Sequence, residues 1–208
     1  MSKEKSLVNK HFIIFDLETN GFAGSSVLSI SAIKVEYLHK MDAFGIIDSY
    51  NRYYYRNENE LINFQAIKIN GLTDDKINTL RNDSKYPVFF KDDIDSFKLF
   101  CDTPALYIAH NISFDKQFIP FIDKNSDQFC TMLSNTFILK DSKWPKLEMT
   151  AKFYNIKISK KSLHESQYDV ALCFDIIKAM HKNKNKDLLK ILTKKGVFNE
   201  NGYTQIII

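Results

Sequence analysis

Cysteine, arginine and long apolar runs are all scarce in this chain of 208 residues. The three cysteines, Cys101, Cys130 and Cys173, form no CxxC pair and no even set. That argues against a disulfide framework or a zinc cluster and fits a reducing cytosol. The longest apolar runs, such as Phe12 to Phe15 and Ile206 to Ile208, fall far short of the about 20 residues a membrane helix needs. The start, Met1-Ser2-Lys3-Glu4-Lys5, lacks the apolar stretch and small-residue cleavage site of a signal peptide. A cytoplasmic protein without membrane contact is the expectation. Only Arg52, Arg56 and Arg81 carry guanidinium groups, so the positive charge is nearly all lysine. The net charge of +4 permits nucleic-acid binding without establishing it. Hydrophobic residues make up 44% and charged residues 26%, which excludes disorder and collagen and supplies one real core. The length suits one ordinary domain with a short appendage.

The pattern along the chain is that of an α/β domain. His11 to Leu17 reads as a buried strand, and Val27 to Tyr37 as a second, apolar on most of both faces. Ala43 to Tyr55, rich in Ile and Tyr, is a third. Helices fit Ile62 to Ile69 and Asp74 to Leu80, with Asn70-Gly71 between them. A helix is predicted over 87–101, a strand over Leu106 to Ala109, and a helix from Ser113 or Asp115 to Ile122. A short strand follows at Phe129 to Met132, then helices near 132–139, 147–154 and 166–181. Three early strands followed by alternating helices and strands indicate a mixed sheet of about five strands flanked by helices.

Three acidic elements stand out. Asp16-Leu17-Glu18 ends the first strand, where alternation places both carboxylates on one face. They would repel there unless a divalent cation lay between them, and oxygen donors suit Mg²⁺ or Mn²⁺. Asp115, in His110-Asn111-Ile112-Ser113-Phe114-Asp115, falls in the first turn of a helix after a strand. Asp169, in His164-Glu165-Ser166-Gln167-Tyr168-Asp169, falls in another first turn, with His164 in the loop before it. A neutral imidazole there can take a proton from water at cellular pH. Singly, each has an ordinary reading: a solvated strand end, a carboxylate complementing a helix dipole, a surface loop histidine. Together they place four carboxylates at strand ends and helix starts, where open α/β sheets build their sites. Four carboxylates around two metal ions form a phosphoryl-transfer site.

In this order, Asp16-x-Glu18, His110-Asn111-x-x-Phe114-Asp115 and His164-x4-Asp169 resemble the DEDDh exonucleases, over roughly residues 11–181. Asn70-Gly71-Leu72-Thr73-Asp74 resembles the HGIT-type turn of the proofreading group. Leu147-x-x-Thr150-Ala151-x-x-Tyr154-Asn155-Ile156 resembles a helix of the same family. The resemblance implies a ribonuclease H-like fold and 3′-to-5′ exonuclease activity, releasing nucleoside 5′-monophosphates with two divalent cations, Mg²⁺ or Mn²⁺. Under it, Asp16 bridges both ions, Glu18 and Asp169 serve the ion that activates water, and Asp115 supports the second. His164 deprotonates the water; Glu165, where the sister group has Tyr, fits the histidine subtype.

The resemblance also assigns the loop Thr19 to Phe22, with Gly21, to the 3′-terminal nucleotide. It offers Phe22 and Leu72 for base packing and Asn111 for a phosphate. Burial in the core is the ordinary alternative for Phe22 and Leu72. Asn70 replaces the usual His, Cys130 a common Asp, Val170 a frequent Ala, and Glu165-Ser166 stand where small apolar residues are common. The implied partner is nucleic acid with a free 3′ end, single-stranded DNA favoured over RNA. An RNA-trimming exonuclease and a catalytically silent nucleic-acid-binding module are the alternatives. Residues 1–181 are expected to be the exonuclease domain. Residues 182–208, a lysine-rich helix and a hairpin or edge strand, are expected to pack on that domain, on a second copy or on a polymerase.

Overall fold

In the computed structural model, which describes residues 11–38, 40–102, 105–139, 144–159 and 163–183, β1 runs His11–Thr19. Its alternation separates two cores. Ile13, Phe15 and Leu17 enter one apolar cluster, and Phe12 and Ile14 enter another on the opposite face. β2 (Val27–Leu38) pairs antiparallel with β1, and β3 (Ala43–Tyr53) antiparallel with β2. β4 (Ala105–Ala109) lies parallel to β1, and β5 (Asp127–Cys130) parallel to β4. The order β3-β2-β1-β4-β5 makes one mixed sheet with β1 at its centre. A buried central strand explains why His11 to Leu17 is apolar on both faces. The architecture is the ribonuclease H-like one expected from the sequence.

Helices cover both faces. On the Ile13 face, α3 (Ile94–Cys101) buries Phe97 and Cys101. On the Phe12 face, α5 (Leu147–Phe153) and α6 (Ser166–Lys182) pack, the latter burying Val170, Cys173, Ile177 and Met180 at helical spacing. Two short helices follow β3. α1 (Phe64–Asn70) is capped by the Asn63 side chain, which accepts from the amides of Gln65 and Ala66. It ends at Gly71, whose φ of 68° is the left-handed conformation glycine adopts without cost. α2 (Asp74–Arg81) is capped by Thr73. α4 (Ile112–Asp115) is a single turn after β4. The expected lysine-rich helix and hairpin beyond residue 183 lie outside the described residues.

Two helices are shorter than their sequence suggests. The one expected to reach Ile122 stops after α4 and a 3₁₀ turn, Lys116–Phe118. Ile119 precedes Pro120 and is extended, at φ −120° and ψ 93°, because the proline ring disfavours a helical residue before it. The helix expected over 87–101 begins at Ile94. Its N-cap, Asp93, makes no side-chain capping bond. Its carboxylate instead accepts from Arg52 at 2.6 Å, Tyr54 at 2.8 Å and Tyr50 at 3.3 Å. Asp93→Ala would leave a guanidinium and two hydroxyls without their acceptor. We expect it to cost about 2–4 kcal/mol, and a thermal melt checks this; a loss under about 0.5 kcal/mol would show the network carries little.

Candidate active site

β1 turns Asp16 and Glu18 onto the face covered by α6, continuing the row of Phe12 and Ile14. Directly opposite on β2 stand Ser31 and Ser29. The Ser166 hydroxyl, in the first turn of α6, lies 3.0 Å from Ser29 Oγ and 2.8 Å from Ser31 Oγ. This buried hydroxyl cluster docks the start of α6 beside the two carboxylates. One turn along, Asp169 is carried to Glu18. Ligand atoms of Glu18, His164 and Asp169 all lie within 4.8 Å of one another. Asp115 comes from the β4 side, where the single turn of α4 buries it and its carboxylate accepts the Leu17 amide.

All four carboxylates are raised by burial, and Asp16 and Glu18 by their neighbours' charges as well. Burial, then the charges of Asp115, Glu18 and Asp169, push Asp16 well above the usual carboxylate range. Burial, then Asp169 and Asp115, push Glu18 up to about 8, although a hydrogen bond from Asn70 acts against the rise. Burial pushes Asp115 up to about 7 and Asp169 to about 6, each partly offset by backbone amides. Asp169 Oδ2 accepts the amide of His164 at 3.2 Å, while buried Asp169 Oδ1 has no hydrogen-bond partner. A buried carboxylate oxygen without a partner costs free energy, and a cation would satisfy it. Buried hard oxygen donors gathered in one place are the donor set a divalent cation binds. The residues present therefore fit the expected metal.

His164 occupies the left-handed region at φ 66°. That turn brings the exposed imidazole back toward Glu18 and Asp169. His110 lies outside the acidic group. It is half-buried, with Nδ1 3.0 Å from Thr131 Oγ1 and Nε2 2.9 Å from the Pro145 carbonyl. Burial lowers its pKa to about 4, so at neutral pH it is an uncharged joint between β4, β5 and the segment before α5.

The other expected residues are dispersed around this centre. Thr19 is buried and donates to the Gly21 carbonyl at 2.6 Å. Phe22 is 85% exposed. Asn111 sits at φ 75° as the N-cap of α4. Leu72 is only 6% exposed, packed with Leu28 and Ile77; here the core alternative describes its position, because the turn at Gly71 folds it inward.

Several contributors carry no sequence signal of their own. Asn70 holds Glu18, donates to the Thr19 carbonyl at 3.1 Å and accepts the Leu72 amide at 3.0 Å. Glu60, forty residues from β1, takes Asn20 Nδ2 at 2.7 Å and both the amide and hydroxyl of Ser26. Ser29 and Ser31 did carry a signal: small polar residues at alternate positions of an otherwise apolar strand. All three arginines serve the fold. Arg52 pairs with Asp93, Arg56 with Asp74, and Arg81 donates to the carbonyls of Tyr53, Tyr86 and Pro87. Among the described residues no helix is long and apolar enough to cross a membrane.

Comparison with known proteins agrees with this fold. The RNase_T family model, described as Exonuclease, matches residues 13–177. No curated protein matches the sequence. Among solved structures, E. coli exonuclease I in complex with a dT13 oligonucleotide is similar at TM-score 0.68 and 16% identity, over 93% of this chain and 45% of that one. The complex of the same enzyme with a dA16 oligonucleotide gives TM-score 0.65 and 17% identity, over 88% and 42%. A zinc ion bound form of the E. coli enzyme with single-stranded DNA gives 0.66 and 17%, over 88% and 42%. The chain thus spans less than half the length of the exonuclease I chains it resembles.

Proposed function

Because this chain belongs to the DEDDh family of 3′-to-5′ exonucleases, we propose that it hydrolyses the terminal phosphodiester at the 3′ end of single-stranded DNA and releases nucleoside 5′-monophosphates. The observation that carries the reading is the meeting of Glu18, His164 and Asp169 within 4.8 Å, with Asp115 near enough to raise the pKa of Asp16. Asp16, Glu18, Asp115 and Asp169 would hold two divalent cations, Mg²⁺ or Mn²⁺, with Asp16 shared. Such ions supply an acidified water and charge compensation for the departing 3′ oxygen. His164, exposed at the rim, accepts the proton of the attacking water. As the water oxygen bonds to phosphorus, the bond to the 3′ oxygen breaks and that oxygen is protonated. Single-stranded DNA is favoured because the structures of similar fold include complexes of exonuclease I with DNA oligonucleotides. The buried free thiols of Cys101, Cys130 and Cys173 suit a reducing, cytoplasmic setting.

With no arginine free, lysines must grip the phosphates. They act as point charges, so binding should weaken as salt rises. The test is a 5′-labelled strand, as DNA and as RNA, incubated with Mg²⁺ or Mn²⁺. The expected result is a ladder shortening from the 3′ end, faster on DNA and abolished by EDTA. His164→Ala should slow it by about 10²–10⁴-fold. Faster loss of RNA would move the reading to RNA trimming. Binding without cleavage of either strand would sink it.

A further inference from the structure

The start of α6 lacks an ordinary cap: Glu165, at the N-cap, makes no side-chain capping bond. The turn is instead closed on itself and tied sideways to the sheet. The Glu165 carbonyl accepts the amides of Tyr168 at 2.8 Å and Asp169 at 3.0 Å, and Asp169 Oδ2 accepts the His164 amide at 3.2 Å. Residues 164–169 are thus one hydrogen-bonded piece. The tie is the buried Ser166 hydroxyl, between those of Ser29 and Ser31. Donation through this cluster has one direction. Ser31 donates to Asn51 Oδ1 at 2.7 Å, and a hydroxyl has a single proton to give. Ser31 must then accept from Ser166, and Ser166 from Ser29. Asn51 is oriented in turn by its Nδ2, which donates to Gln167 Oε1 at 3.4 Å. The same two β2 serines stand opposite Asp16 and Glu18 in the β1–β2 register. One pair of residues therefore faces both the strand that carries two of the carboxylates and the helix start that carries a third.

Resting on the metal-binding part of the exonuclease reading, we propose that Ser166 is a positioning residue: held by Ser29 and Ser31, it sets Asp169 and His164 against Asp16 and Glu18 so that the acidic group is ready for a divalent cation. Like charges gathered in a buried site repel, and Asp169 is joined to its turn by both its amide and its carboxylate. Val170 and Cys173 hold α6 to the core, but apolar packing is non-directional and permits small shifts. A hydrogen bond restricts both distance and angle. Ligands already in place bind a cation without the cost of being ordered. Loosening the turn therefore weakens the metal site while the helix and the core remain.

The test is a calorimetric titration of the full chain with Mn²⁺ alone, without nucleic acid, beside thermal melts in EDTA. Ser166→Ala puts a smaller residue and a better helix former at the site, so the fold is kept. It should weaken Mn²⁺ binding about 10–100-fold. Ser29→Ala/Ser31→Ala, which removes both partners, should weaken it as much. Adding Ser166→Ala to that pair should change nothing more, because the three hydroxyls act as one unit. On single-stranded DNA, Ser166→Ala should need about 10–100-fold more Mn²⁺ for half its maximal rate, with KM for the strand unchanged. A Ser166→Ala protein that melts lower in EDTA yet binds Mn²⁺ as the wild type does overturns the proposal, since the serines then only stabilise the fold. Losses that add across the three positions overturn it too. Wild-type protein whose Mn²⁺ binding responds to the variants as expected, but which leaves the strand uncut, overturns the exonuclease reading alone. A wild type that takes up no Mn²⁺ overturns both.

Discussion

Replacing Asp16 with asparagine is expected to give a protein that no longer degrades nucleic acid and yet melts at a higher temperature than its parent. Asp16 stands at the centre of the acidic group, buried and repelled by Asp115, Glu18 and Asp169. Its ionisation in the metal-free fold therefore opposes folding. Asparagine has the same shape and no charge, so the repulsion goes while the packing stays. In EDTA at pH 8 the gain should be about 1–3 kcal/mol, or about 3–10 °C for a chain of this size. Activity in Mg²⁺ should fall by about 10²–10³-fold or more, since a carboxylate proposed to hold the metal is lost. A variant that melts below the wild type would refute the claim that the site is held together against its own charge.

Without metal, wild-type stability should fall as pH rises from about 6.5 to 8. Folded Asp115 holds its proton to about pH 7 and Glu18 to about pH 8, whereas unfolded carboxyls release theirs near pH 4. In that window the folded chain binds more protons than the unfolded one, so a rise in pH favours unfolding. Two groups act in the opposite sense, but at lower pH. Glu60, whose pKa is lowered mainly by hydrogen bonds from Ser26 and Asn20 that outweigh its burial, contributes fully above the ordinary carboxylate value. His110, held neutral by burial, contributes fully above about 6.5, the pKa of a free histidine. The net loss should be about 1–2 kcal/mol, or about 3–8 °C in Tm. Excess Mg²⁺ should abolish the slope and raise Tm more at pH 8 than at pH 6, because the cation binds the deprotonated carboxylates. A flat Tm in EDTA across this window would contradict the raised pKa values.

The acidic residues were readable in the sequence because each lies at a position with local grammar. Asp16 and Glu18 follow an apolar run, and Asp115 and Asp169 occupy first helical turns. Five strands and the sequence of elements were readable for the same reason. The supports of the site were not. Glu60 acts from a loop and Asn70 from the last position of α1, where a polar residue belongs to no apolar repeat, and Ser166 finds Ser29 and Ser31 across more than 130 residues of chain. Two positions that departed from the family pattern, Asn70 and Ser166, are among these supports. For Leu72 the motif left base packing and core burial both open, and the structure packs it with Leu28 and Ile77. Pro120 and Asp93 shortened helices whose apolar spacing continued beyond them, so a single residue's stereochemistry or a distant arginine outweighed the repeat.

The carboxylates arrive in three instalments. Asp16 and Glu18 are near the start of the described chain, Asp115 is in its middle, and Asp169 enters only with α6, the last described helix. During synthesis the first strands leave the ribosome long before that helix, whose Val170, Cys173 and Ile177 pack on the sheet where Asp169 meets Glu18. A nascent or truncated chain therefore carries most of the acidic residues in no useful arrangement. The acidic site is thus a product of the whole fold and of no single segment.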